Sequence, residues 1–363
     1  MTASSKPPED PRSVSTSQEL WRVKTQDGGH RALTLQDTNE IQLLLRGQSV
    51  IDWHRLAFTH EDEVRRLLAL NCLDSADPVD RERLAELRSQ AVHYISDVLK
   101  LRIDPYIANE VPWVQLPLIA SRAAGNRQRQ ACTLLKVMHI IYHLDARELR
   151  TQLAISEHDI YARVEESVTL MFDELRTAGV PVVEFSWSRK TRNSLITKLL
   201  VKRDTSAARV FDRLRFRLIV RDPEDIVPTL HIMLRRCIPF NYVVPGQTVN
   251  TLIDLERLTV LPRANESFES SGDDDGGEGS GNEFSGSNYR ILNFIADLPI
   301  RLASVTDAID ESRGRVVFVL AEFQIMDLQT AESNERGDNS HVRYKQRQHQ
   351  HVRVRLLREP RSE

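Results

Sequence analysis

VFDRLRFRLIV, Val210 to Val220, alternates in character through its middle: Leu214, Phe216, Leu218 and Val220 fall on one side, Arg213, Arg215 and Arg217 on the other. A period of two over that length predicts a half-buried β-strand. Asp212 stands where the strand begins. From the sequence alone it is a turn residue, an ion-pair partner for the arginines, or a metal ligand.

Outward from this strand the pattern mixes strands and helices. PVVEFSW before it predicts a strand, and SRKTRNSLITKLLVKR a basic amphipathic helix. DPEDIVPTLHIMLRRC after it predicts a helix starting near Pro223, and NYVVPG and LERLTVLPR suggest further strands. YRILNFIADLPIRL and GRVVFVLAEFQIMD are two more strand candidates, the second apolar enough for the centre of a sheet. Between them and the earlier strands lies an acidic Gly/Ser segment, 266–288, read as a mobile loop. A basic tail, HVRYKQRQHQHVRVRLLREPR, closes the chain.

Upstream the period changes. LTLQDTNEIQLLLRG, HEDEVRRLLALNCLD, VDRERLAELRSQAVHYISDVLKL, RQRQACTLLKVMHIIYHL and EHDIYARVEESVTLMFDELRTAG carry apolar residues at three- and four-residue steps, so five helices are expected. The expected fold class is therefore α+β, with a tail over 1–30, an all-α domain over 31–179 and a sheet-bearing domain over 180–363.

Composition bounds the function without choosing it. Of 363 residues, 40% are apolar and 28% charged, with a formal net charge of -3, as in an ordinary globular protein. Cys72, Cys132 and Cys237 lie too far apart for a metal-ligand spacing, which suggests buried thiols in a reducing compartment. No apolar run reaches membrane-spanning length, and the N-terminus lacks the apolar core of a signal peptide, so a cytoplasmic protein with no membrane partner is expected.

Three features could carry chemistry. Lys190, Ser194 and Lys198 recur every four residues, with Arg189 beside them. On one helix face they could hold polyphosphate oxygens, or simply form a solvated basic stripe. Glu322 interrupts an apolar strand, where a carboxylate is expensive unless paired or bound to a cation. With Asp212 it could hold Mg²⁺, or it could pair with an arginine such as Arg217. Tyr289 opens a strand, where it stacks a base or joins the core.

In order, these pieces resemble the synthetase domain of the RelA/SpoT (p)ppGpp synthetases, a branch of the nucleotidyltransferase superfamily. The resemblance spans about Pro181 to Gln348. The family's Lys-x-x-x-Ser-x-x-x-Lys element is matched by Lys190, Ser194 and Lys198, and its Asp-bearing strand by FDRLRFRLIV, with Asp212 and Arg217. Its Gly-Tyr-x-Ser-hydrophobic-His strand is matched by SNYRILN, which keeps Tyr289 but has Asn288, Ile291 and Asn293 in place of the Gly, Ser and His. EFQIM keeps Glu322 and Gln324, with Met326 for an Arg, and SHVRYK supplies His341, Tyr344 and Lys345. Arg213 and Arg215 have no counterpart in the pattern and are expected to line the sheet's outer face.

The resemblance implies a nucleotidyltransferase-like mixed sheet and a Mg²⁺-dependent transferase moving pyrophosphate from ATP to the 3′-hydroxyl of GDP or GTP. It implies ATP on Arg189, Lys190, Ser194, Lys198 and Arg217, and Mg²⁺ on Asp212 and Glu322. The acceptor would lie against Tyr289, Asn293, Gln324, His341 and Lys345. Two alternatives remain: pyrophosphate transfer to the 3′ end of tRNA, for which the basic tail supplies cations, and a non-catalytic nucleotide sensor or scaffold. The companion (p)ppGpp hydrolase of long family members is not expected. His60–Glu61–Asp62 and His158–Asp159 occupy positions suited to helix caps and first-turn acids.

Overall fold

The computed structural model describes residues 22–24, 30–47, 53–122, 124–153, 155–201, 213–255, 258, 289–302, 314–336 and 341–357. Two short strands come first, β1 (Arg22–Lys24) and β2 (His30–Ala32), paired antiparallel. This hairpin stands where the sequence suggests the end of a tail. Helices follow: α1 (Leu35–Arg46), α2 (Glu61–Leu70), α3 (Pro78–His93), α4 (Gln115–Ala120), α5 (Asn126–Gln152) and α6 (Glu157–Thr177). Their starts follow the chain chemistry. Thr34 and Asp37 form a capping box at α1, Asp77 caps α3 ahead of its proline, and the Ser156 hydroxyl accepts from the amide of Asp159 at α6. Gly47 ends α1 at φ 59°, a left-handed conformation that costs glycine little.

After Gly179 the chain builds a five-stranded mixed sheet: β3 (Val182–Arg189), β4 (Leu214–Val220), β5 (Val249–Asn250), β6 (Leu292–Arg301) and β7 (Val316–Asp327), in the order β3-β4-β7-β6-β5. Only β4 and β7 run parallel; the other neighbours are antiparallel. Helix α7 (Arg192–Val201) follows β3, α8 (Ile226–Arg236) follows β4, and α9 (Leu328–Asn334) and α10 (His341–Leu356) follow β7. The fold is α+β, and the apolar β7 occupies the middle of the sheet, as a continuous hydrophobic run should.

One face of the sheet is aromatic. Phe185, Phe216, Phe323 and Phe294 form a row across four strands, with successive ring centroids 6.3, 5.3 and 5.3 Å apart, and Phe172 of α6 sits 3.5 Å from Phe185. Such pairs add about 0.5–1.5 kcal/mol each beyond the area they bury. Helices α5, α6 and α8 pack on this side. The main hydrophobic core runs from Ile41 in α1 to Ile325 in β7, beside a smaller cluster of Ile219, Ile291, Met326 and Ala331. The break near residue 180 is a change of secondary structure, not a gap between two cores.

Local departures from the sequence reading have physical causes. NYVVPG is not a strand: a 3-10 turn spans Phe240–Tyr242, and Val243 makes one isolated bridge to Ala296. The Asn241 side chain there is drawn into a buried hydrogen bond with Asn71, 3.0 Å long, and Pro239 and Pro245 restrict the flanks. The short strand β5 comes later. LERLTVLPR lies mostly outside the described residues, and the 266–288 segment wholly so. The basic tail folds as α10.

Candidate functional site

The face opposite the aromatic row is polar, because strand alternation that buries Phe216 and Phe323 must turn Arg215, Arg217, Glu322 and Gln324 the other way. Register aligns these residues in two rows. One row runs Ser186, Arg217, Gln324, Asn293 and Val249; the other runs Ser188, Arg215, Glu322 and Ile295.

Glu322 is the centre of the second row and is only 5% exposed. Arg215, directly opposite it on the parallel strand, donates from Nε to Oε2 at 2.7 Å, and Gln324 Nε2 donates to Oε1 at 3.1 Å. Burial alone would raise the Glu322 pKa. The charges of Arg215 and Lys190, with these two hydrogen bonds, hold it below the ordinary carboxylate value. The group is thus a buried, ionised carboxylate.

Lys190 faces this carboxylate, but not from the helix that the spacing predicts. β3 extends to Arg189, the Lys190 amide donates to the Arg213 carbonyl at 2.9 Å, and α7 begins only at Arg192. Thr191 supplies the start signal, its hydroxyl accepting from the amide of Ser194. Lys190, Ser194 and Lys198 therefore do not form one helical stripe, since Lys190 belongs to the strand's end. It still meets Lys198 through charge. Burial, then Lys198, Arg215 and Lys345, depress the Lys190 pKa from 10.5 to about 7, against the pull of Glu322. Lys345 comes from α10, which packs on α7 and sends Arg355 to the Leu200 carbonyl. Arg215 of β4 and Lys190, just past β3, thus act on one buried carboxylate, while Lys198 of α7 and Lys345 of α10 act on Lys190. Such a site is built for a polyanion.

Tyr289 lies at the other end of the polar face. It packs beside Ile219, Ile291, Met326 and Ala331, and burial raises its pKa while Arg217 and Arg215 act to lower it. Arg217 reaches Glu335 at 3.5 Å, while its Nε and the Asn293 Oδ1 are buried without a hydrogen-bond partner among the described residues. These two orphaned atoms flank Gln324 in one row, where a polar ligand would have something to satisfy.

The remaining expected residues divide. Arg189 does not enter the cleft: it forms a two-pronged pair with Glu165 of α6 at 2.6 and 2.8 Å and contacts His158 Nδ1 at 2.7 Å. Ser194 accepts from the Thr191 hydroxyl at 3.1 Å at the start of α7. His341 begins α10, and Asp212 lies outside the described residues. His60 and His158 sit at helix starts, His60 in the N-cap position of α2 and His158 in the first turn of α6. Among the described residues no cluster of three or more His, Cys, Asp or Glu could hold a metal ion. As a partner for Mg²⁺, Glu322 fits by its ionised state; an ionised carboxylate offers about four lone-pair positions, and Arg215 and Gln324 take two. Asp212, which the sequence offers as a second carboxylate, is outside the described residues.

Arg215 is the residue that sequence reasoning missed. Its signal was parity: it sits at a polar position of β4, as Glu322 does on β7, and two such positions opposite each other on neighbouring strands form a pair.

No protein-family model and no curated protein matches the chain. Solved structures similar to it are small alarmone synthetases. Small alarmone synthetase 1 from Bacillus subtilis, bound to its product pppGpp, is 14% identical with a TM-score of 0.32, over 54% of this chain and 86% of that one. Small alarmone synthetase 2 from the same organism is 16% identical with a TM-score of 0.31, over 55% and 88%. A GTP pyrophosphokinase family protein from Streptococcus pneumoniae is 14% identical with a TM-score of 0.29, over 54% and 83%. Likenesses this distant carry no weight for activity, which has to be read from the residues. Among the described residues no helix is long and apolar enough to cross a membrane.

Proposed function

We propose that this chain is a (p)ppGpp-synthetase-like transferase, moving the β,γ-pyrophosphate of ATP to the 3′-hydroxyl of a guanine nucleotide. The observation that carries this reading is the buried Glu322 paired with Arg215 and facing Lys190, with Lys198 and Lys345 acting in turn on Lys190. Phosphoryl chemistry asks a protein mainly to position its reactants and neutralise their charge. On this reading Lys190 and Lys198 bind the triphosphate as point charges, with the Ser194 hydroxyl beside them. Glu322, with Asp212, would hold Mg²⁺, which when bound neutralises charge on the transferred phosphates. Tyr289 offers its ring to the acceptor base, and Arg217, Gln324, Asn293 and Lys345 present polar groups along the acceptor side. Arg189, committed to Glu165, takes no part.

One observation favours a second reading. Arg215 already neutralises Glu322, as would suit a protein that binds nucleotide without turning it over. The two separate in one assay: purified protein and Mg²⁺ incubated with γ-labelled ATP and GDP, GTP or tRNA. Transfer of label with AMP release, lost in Glu322→Gln, supports the transferase. Tight ATP binding with no transfer to any acceptor refutes it and leaves the sensor.

A further inference from the structure

Glu165, a buried carboxylate of α6, holds the residue that stands just before the first lysine of the cleft. Its two oxygens accept a fork from Arg189, Nε to Oε1 at 2.6 Å and Nη2 to Oε2 at 2.8 Å. Tyr161 and His158 precede Glu165 by four and seven residues, so all three share one face of the helix. An arginine has no acceptor, so His158 Nδ1 accepts the third bond, from Nη1 at 2.7 Å. The guanidinium carbon lies 5.6 Å from the Tyr161 ring centroid. Helix α6 thus forms a socket for this one side chain. Among the described strands β3 is an edge strand, paired with β4 alone, and Arg189 is its last residue. Beyond it the Lys190 amide still bonds the Arg213 carbonyl, and after Thr191 helix α7 begins and carries Lys198. Arg189 faces α6, while Lys190 acts on Glu322 of the opposite face, as successive strand residues do. Pinning the first therefore aims the second.

We propose that Glu165 is a positioning residue for the polyphosphate site: through Arg189 it fixes the end of β3, so that Lys190 and then Lys198 meet the phosphate oxygens together. The helical half of the chain thereby takes part in ligand binding without touching the ligand. A lysine is a point charge on a flexible stem, so the precision of such a site comes from where its backbone is held. The inference rests on the polyphosphate reading above and deepens it by adding a residue that touches no phosphate.

The test reads tripolyphosphate binding by calorimetry in EDTA, in variants whose folding is checked by circular dichroism. Charge and position predict opposite signs, because removing a carboxylate should by itself favour a polyanion. Glu157→Gln makes that change of charge on the same helix, at the exposed pair with Arg213, and should bind at least as tightly as the unaltered protein. Glu165→Gln makes the same change yet should weaken binding about 10-fold. The double variant Glu165→Leu with Arg189→Met leaves net charge unaltered and no buried charge unpaired, so it should keep its fold. It too should bind about 10-fold more weakly. Whichever of the two variants folds decides: an affinity equal to or above that of the unaltered protein overturns the positioning role. Binding lost in Lys190→Met but kept in the double variant removes the positioning alone and leaves the polyphosphate reading standing. No binding by the unaltered protein refutes both.

Discussion

Replacing Lys190 by methionine should stabilise the protein, and the gain should depend on pH in a definite direction. Burial and three neighbouring cations hold the Lys190 pKa near 7, below its ordinary 10.5. The unfolded chain therefore binds a proton that the folded chain releases between those two values, and stability must rise with pH across that window. The penalty is full below about pH 7 and fades above it. Each pK unit corresponds to about 1.4 kcal/mol, so moving from pH 7 to about pH 9 would relieve about 2.7 kcal/mol without screening. Solvent reaches this half-buried group, which reduces the expected relief to about 1–2 kcal/mol. Methionine keeps the apolar stem of the lysine and discards the charge. Urea unfolding of both proteins at about pH 6 and about pH 9 should show Lys190→Met more stable at the lower pH, with the gap narrowing by about 1–2 kcal/mol at the higher. Comparing the two proteins at each pH cancels the other titrating groups. A gap that is constant or widens with pH would refute the crowding of cations at this site. Polyphosphate binding should be lost in the same variant, the usual exchange of stability for function.

Two further outcomes test the scaffold. Phe323→Ala removes a 1%-exposed ring stacked between Phe216 and Phe294 and should cost about 3–5 kcal/mol in denaturant unfolding. Asp37→Asn breaks the join of α1 to α8, where Asp37 meets Arg235 at 3.0 Å and His231 at 3.2 Å, and should cost about 3–5 kcal/mol at neutral pH. Burial acts to raise the Asp37 pKa, yet His231 and Thr34 hold it well below its ordinary 3.8. Its contribution should therefore stand at neutral pH and fade in acid below that value, which parallel unfolding of the unaltered protein and the variant would show.

The strands were legible because alternation survives any tertiary detail. Leu214 to Val220 and Val316 to Asp327 had to be strands, and the nearly unbroken apolar run of the second had to be central. Glu322 stood out because a carboxylate in such a run needs a partner. What the sequence hid was the identity of that partner. Arg215 and Arg217 are equivalent in the alternation, and only the parallel register between β4 and β7 chooses Arg215. Likewise a four-residue spacing from Lys190 to Lys198 looked helical, although two residues of that span, Lys190 and Thr191, lie between the strand and the helix. The nearness of the two lysines comes from how the strand's end meets the helix, a tertiary fact with no local period. Arg189, adjacent to them, points to Glu165 for the same reason: successive strand residues face opposite sides.

The two faces of the sheet answer to different demands. Cohesion with the helices depends on the row of phenylalanines and their neighbours, and the charged row on the reverse contributes little to it. A residue such as Asn293 can therefore be exchanged over evolutionary time with small consequence for folding, whereas Phe216 or Phe323 cannot. A scaffold arranged this way leaves its chemistry open to revision, and the departures between Tyr289, which precedes β6, and Asn293 within it are where such revision would first be written.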